Sequence, residues 1–155
     1  MTKIKKYKWK TLLNLYEEHI RGTEQKAFVF EKTVSLCNLT LAVMSGIKLE
    51  ENKKVYITSV CLKHLYDKKP AEEFDFLVNY LYKIVMHPDT IYKNKDPKRG
   101  DFCFRKKLLE NEYLCSIEVV ENGELFIATA FRLRKESYLN SYELLWNWRD
   151  GNPSS

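Results

Sequence analysis

The chain is short of several things that would identify an enzyme class. Its five glycines are scattered, and they form neither GxGxxG nor a Walker loop nor GxSxG. Dinucleotide binding, P-loop chemistry and serine hydrolysis therefore have no support. The three histidines, His19, His64 and His87, lie far apart, and there is neither an HExxH motif nor a paired-aspartate motif. The common metal-enzyme signatures are thus missing, and no metal or cofactor is expected. Four cysteines, Cys37, Cys61, Cys103 and Cys115, are widely spaced and make no CxxC pair, which argues against a zinc ribbon or a thioredoxin-type centre. Buried thiols in a reducing compartment are the expectation. No apolar run reaches the ~18 residues that span a bilayer. The basic start "MTKIKKYKWK" runs into Glu17, Glu18 and His19 rather than into a secretory h-region. A cytoplasmic protein without membrane contact is expected, and the sequon Asn38-Leu39-Thr40 is then chance.

What is present is globular. Of 155 residues, 45% are hydrophobic and 14% aromatic, enough for one domain with a genuine core. The net charge is +5, and its distribution is informative. Between Lys93 and Lys107, "KNKDPKRGDFCFRKK" has Lys or Arg at seven positions and Asp at two. Arg132, Arg134 and Lys135 form a second basic group. Such runs are often solvated faces, but two of them in a basic chain also suit a polyanionic partner.

Residues 3 to 21 have the spacing of a basic amphipathic helix, with Ile4, Tyr7, Leu12, Leu15, Tyr16 and Ile20 recurring and Gly22 as a stop. Residues 24 to 45 are apolar and too long for one strand, so helix is favoured there. "KVYIT", Lys54 to Thr58, reads as a strand, after which Ser59 is placed to cap a short helix through Tyr66. Pro70, Glu72 and Glu73 open the clearest helix, whose apolar face is Phe74, Leu77, Val78, Leu81, Ile84 and Val85; it stops at His87-Pro88. Four β-rich stretches follow: "TIYKN", "RGDFCFRKK", "EYLCSIEVV" and "ELFIATAFRLR". Asn122-Gly123 predicts a two-residue hairpin turn. That turn sets Ser116 opposite Thr129 and Glu118 opposite Ile127 on one face. On the other, Cys115 faces Ala130 and Ile117 faces Ala128. The apolar second face should pack on the long helix, leaving the face with Glu118, Ser116 and Thr129 for a ligand. Tyr138 to Trp148 suits a short closing helix. The predicted fold is α+β: N-terminal helices packed on a C-terminal antiparallel sheet of about four strands.

Histidine with Arg, Lys, Thr and Tyr near a basic surface suits metal-independent RNA cleavage. A base takes the 2′-hydroxyl proton, an acid protonates the leaving 5′-oxygen, and cations stabilise the phosphorane charge. His64 lies at i, i+4 from Lys68, so one helix face carries both, with Lys63 adjacent. His64 is open to two readings, a proton-transfer group or a surface residue of a short helix. His19 and His87 have the bland explanation of helix-end residues. Thr129 is equally compatible with an ordinary strand threonine, and Arg132 and Arg134 with charges that protect a sheet edge.

The ordered series "VYITSVCLKHLYDKKPAEEFDF", "HPDTIYKNKDPKRGDFCFRKK", "YLCSIEV", "TAFRLRKESYL" and "YELLWNW" resembles the phage-associated members of the barnase/EndoU/colicin/RelE-like nuclease superfamily. The match covers about residues 53 to 155. The resemblance implies a small α+β domain and a metal-independent ribonuclease, toxin-like or phage-encoded. It places His64, Arg99, Thr129 and Tyr138 among the catalytic residues. Arg132 is added as a substrate contact beside the basic residues Lys63, Lys68, Lys98 and Arg134. RNA is the expected partner, with a cognate inhibitor protein as a further one. Residues 1–52 read as a helical extension outside the nuclease domain, 53–155. A non-catalytic RNA-binding, phage regulatory or protein-interaction module on the same fold is the alternative. The hairpin register puts Thr129 and Arg132 on opposite faces, which ranks His64 and Thr129 above Arg132.

Overall fold

The computed structural model describes residues 10–51, 53–96, 98 and 100–151. In chain order it forms α1 (Lys10–Leu15) continued by a π turn (Tyr16–Ile20), then β1 (Thr33–Asn38), α2 (Leu41–Gly46), β2 (Lys54–Thr58), α3 (Ser59–Lys68) and α4 (Ala71–Met86). Strands β3 (Thr90–Lys93), β4 (Phe102–Leu108), β5 (Asn111–Val119) and β6 (Leu125–Leu133) follow. A 3-10 turn (Glu136–Leu139), β7 (Leu144–Asn147) and α5 (Trp148–Gly151) close the described chain.

α4 forms where the sequence pattern placed it. Pro70 is its N-cap, Glu72 and Glu73 complement the dipole in its first turn, and His87 leaves helical geometry before Pro88. Its apolar stripe is buried, with Leu77, Leu81, Ile84 and Val85 at most 1% exposed. Each such side chain contributes roughly 1.5–3 kcal/mol on leaving water. The stripe packs on Phe104, Cys115, Ile117 and Ala130, which form the covered face of the sheet.

That sheet has seven strands, not four, and it is mixed rather than antiparallel. The order is β1-β2-β6-β5-β4-β3-β7. β2 runs parallel to β6, with Val55 opposite Leu125 and Tyr56 opposite Phe126. The other neighbouring pairs are antiparallel. The two additional edge strands correct two expectations. Residues 24 to 45 are not one helix: Thr33–Asn38 is β1, paired to β2, and only Leu41–Gly46 is helical. Pairing to β2 and burial of Leu36 and Cys37 outweigh helical spacing there. Nor does the tail close with a helix from Tyr138. It makes the 3-10 turn and then β7, which pairs with β3. Helices and strands therefore alternate through the first part of the chain instead of segregating. Of the expected first helix, residues 10–20 are helical, the last five as a π turn, and residues 3–9 lie outside those described.

Ser59 does not cap α3. Thr58 does, its hydroxyl accepting from the Cys61 backbone N–H at 3.1 Å. The Ser59 hydroxyl instead donates to the Phe30 carbonyl and accepts from the Lys32 N–H, tying the segment before β1 to α3.

The β5–β6 hairpin contains two departures that cancel. The turn is one residue longer than Asn122-Gly123 alone predicts: Val120 bonds Glu124 and Gly123 N–H donates to the Val120 carbonyl, with Gly123 at φ +90°. Near the turn, Val119, Glu118 and Ile117 oppose Leu125, Phe126 and Ile127. The register then shifts between Ile117 and Ser116, leaving Ala128 as an unpaired bulge residue. Beyond it, the expected pairs Ser116–Thr129 and Cys115–Ala130 are restored. The bulge exchanges faces within the first part of β6. Ile127 turns into the core, and Phe126 comes out beside Glu118, opposite to the expected arrangement.

Candidate active site

The outer face of the sheet is covered at one end only. There Leu139, from the 3-10 turn, packs on Cys103 and Leu114, with Tyr92, Phe131, Leu133 and Tyr142 around it. At the other end, between the outer face of β6 and one side of α3, lies an open cleft of about 630 Å³. α3 supplies Val60, Cys61, His64 and Lys68, a stripe at three- and four-residue spacing. β6 supplies Phe126, Ala128, Thr129 and Phe131, and β5 supplies Glu118. Glu31, Lys69 and Lys98 complete the rim.

The opposite stripe of α3, Leu62, Lys63 and Leu65, is buried. This separates Lys63 from its neighbour His64. The Lys63 ammonium donates to the Glu24 carbonyl at 2.6 Å and to Asp67 Oδ1 at 2.7 Å, inside the fold. Burial raises the Asp67 carboxyl, but the hydrogen bonds from Lys63 and the Lys26 N–H outweigh it and hold that group below its ordinary value. Lys63 is therefore a staple between α3 and the preceding segment, and it is not part of the cleft.

Of the expected site residues, His64, Lys68, Lys98 and Thr129 come together in the cleft. Tyr138 stands one ring behind its wall, packed edge-on against Phe131 at 5.8 Å and stacked on Tyr142 at 5.7 Å. Arg132 and Arg134 are elsewhere. The Arg132 N–H donates to Glu73 Oε2 at 2.9 Å, and the Arg134 guanidinium donates to Glu73 Oε1 at 2.5 Å, so the buried first turn of α4 is fixed to the end of β6. Both arginines border a separate depression with Arg105 and Glu112. Arg99 lies outside the described residues. The restored register keeps Thr129 and Arg132 on opposite faces, since Thr129 pairs with Ser116 and Arg132 with Tyr113.

Two charged groups of the cleft escaped the sequence reading, Glu31 and Lys69. Glu118 was already expected on the ligand face beside Thr129. Its apposition to His64 depends on the parallel β2–β6 pairing, which no local pattern announces. Lys69 lies over the Phe131 ring, its ammonium 5.3 Å from the centroid. Cys61 is a poor nucleophile here. Burial, followed by the nearby Glu118 charge, pushes its thiol up to about 12, and its sulfur lies 3.7 Å from the Ala128 carbonyl. Among the described residues no group of three or more His, Cys, Asp or Glu is placed to hold a metal ion.

The loop bearing Lys98 is anchored. Asp101 N–H donates to the Ile117 carbonyl, Asp101 Oδ2 accepts from Val119 N–H at 2.7 Å, and Asn94 N–H donates to the Asp101 carbonyl. Chemically, the cleft offers an imidazole, two hydroxyls, three ammonium groups and two carboxylates beside the half-buried rings of Phe126 and Phe131. Residues 31–140 match the family described as phage-Barnase-EndoU-ColicinE5/D-RelE like nuclease. The chain belongs to that nuclease family. The matched span takes in every residue lining the cleft, from Glu31 to Phe131. It also begins ahead of β1, whereas the resemblance read from the sequence began near residue 53. No curated protein and no solved structure matches the chain. Among the described residues, no helix of this nuclease-family chain is long and apolar enough to cross a membrane.

Proposed function

We propose that the chain is a metal-independent endoribonuclease and that the cleft between α3 and β6 is its active site. The observation that carries this reading is the convergence of His64, Lys68, Lys98, Thr129 and Glu118 on one open cleft in a chain of a nuclease family. RNA carries its own nucleophile. The 2′-oxygen forms a bond to phosphorus as the bond to the 5′-oxygen breaks, leaving a 2′,3′-cyclic phosphate and a free 5′-hydroxyl. One group must accept the 2′ proton and another must supply a proton to the 5′-oxygen. His64 on α3 and Glu118 on β5 are the two proton-transfer groups that face each other's side of the cleft. Lys68, Lys69 and Lys98 offset the charge that grows on the non-bridging oxygens, and the Thr129 hydroxyl donates to one of them. Arg99, next to Lys98 in sequence, adds a planar pair of donors to the same phosphate. Tyr138 extends the substrate surface beyond Phe131.

Purified protein incubated with total cellular RNA in chelator tests this. Cleavage leaving cyclic phosphate ends is expected. His64→Ala and Glu118→Gln should each lower the rate by roughly a hundredfold or more. Absence of cleavage by the parent protein, or full activity in His64→Ala, would overturn it. Salt-sensitive RNA binding without product would point to a binding module on this fold.

A further inference from the structure

Just ahead of the cleft-rim residue Glu31, Phe28 and Phe30 stand out of the molecule, 79% and 78% exposed. Single exposed apolar residues are ordinary, but two exposed rings in mutual contact next to a cleft residue are not. The two rings lie edge to face, centroids 5.2 Å apart, while Val29 between them packs toward the core. Their backbone is held. The Phe30 carbonyl accepts from the Ser59 hydroxyl at the start of α3, and that hydroxyl oxygen accepts from the Lys32 N–H at 2.8 Å. Upstream, the Lys26 N–H donates to Asp67 at 3.0 Å. The chain thus fixes two large rings in water on the segment that leads into the cleft residue Glu31 and is tied to Ser59 at the start of α3, flanked by the exposed lysines Lys26 and Lys32.

We propose that Phe28 and Phe30 are a stacking platform for unpaired bases of an RNA strand that continues out of the cleft. This rests on the reading of the cleft as an RNA-cleaving site, and it specifies the substrate as single-stranded at that position. Bases have π-faces that stack on rigid exposed aromatics whatever their identity, and the strand's phosphates meet the flanking lysines. A duplex, whose bases are already stacked, gains nothing from the rings.

The test uses full-length protein carrying His64→Ala to prevent turnover, with a short labelled single-stranded RNA and a duplex containing the same strand. Phe28→Leu/Phe30→Leu keeps apolar bulk but removes both π-faces; Phe28→Trp/Phe30→Trp keeps them. We expect the leucine pair to weaken single-strand binding by about tenfold or more. The tryptophan pair should retain it, duplex affinity should not move, and the salt dependence should stay the same in all three. Equal single-strand affinity in the leucine pair overturns the platform alone, provided that the His64-intact protein cleaves RNA. If the His64→Ala parent binds neither probe, the platform falls together with the reading of the cleft. A parent dimer that the leucine pair converts to monomer, with RNA affinity unchanged, assigns the rings to contact between copies and overturns the proposal.

Discussion

Two adjacent residues of α3 illustrate how one helical step divides structure from site. His64 faces the cleft, whereas Lys63 is 5% exposed and bonded to Glu24 and Asp67. Lys63→Met should therefore act on stability, since it leaves the Asp67 carboxylate without its ion-pair partner. We expect a loss of about 3 kcal/mol in denaturant unfolding. Lys68→Ala, on the exposed stripe, should leave unfolding unchanged and reduce the salt slope of RNA binding by about one ion. Cys61 yields a different expectation. It lines the cleft, yet burial keeps its thiol protonated, so iodoacetamide at neutral pH should neither label it nor inactivate the protein, as peptide mapping would show. The sequence revealed that Lys63, His64 and Lys68 were candidates. It did not reveal which stripe of α3 faces inward, because that depends on β6 and on the segment before β1, both distant in sequence.

At the scale of elements, the loop carrying Lys98 depends on Gly100. This residue has φ +118°, and a Cβ there would lie 2.4 Å from Ser116 Oγ and 3.1 Å from the Ile117 carbonyl. Gly100→Ala should cost about 1–3 kcal/mol, read as a lower melting temperature, because backbone strain and close approach act together. It should also weaken RNA binding, since the loop hangs from Asp101 directly after it. The elements with strong, continuous periodicity were legible: α4, β2 and the strands from β3 to β6. β1 was not, because its alternation is embedded in a longer apolar run and its reason to be extended is the edge of β2. The Ala128 bulge was hidden for a similar reason. Asn122-Gly123 announces a hairpin, but whether its register slips and recovers is decided by which of Ile127 and Ala128 fills the core under α4. Thr129 was correctly placed on the open face because the slip is repaired just before it.

For the whole molecule, acid is the informative variable. Hydrogen bonding from Arg105, with its charge, holds the Glu112 carboxyl below its ordinary value of 4.5, and Asp67 sits below 3.8. A carboxyl depressed in the folded state contributes stability above its unfolded value, and that contribution disappears as pH falls through the folded value. Melting temperature should therefore be level near neutrality and decline below about pH 4.5, with Glu112→Gln showing a shallower decline. The strand order has a further consequence, in the order of synthesis. β2 leads directly into α3, but both wait for β6, which the ribosome delivers only after Leu125. One wall of the cleft is thus made early and the other late, and only the parallel β2–β6 seam brings them together. A nascent chain shorter than this has no cleft. The RNA cleavage proposed for this cleft therefore cannot begin while the chain is still being translated through its first five strands.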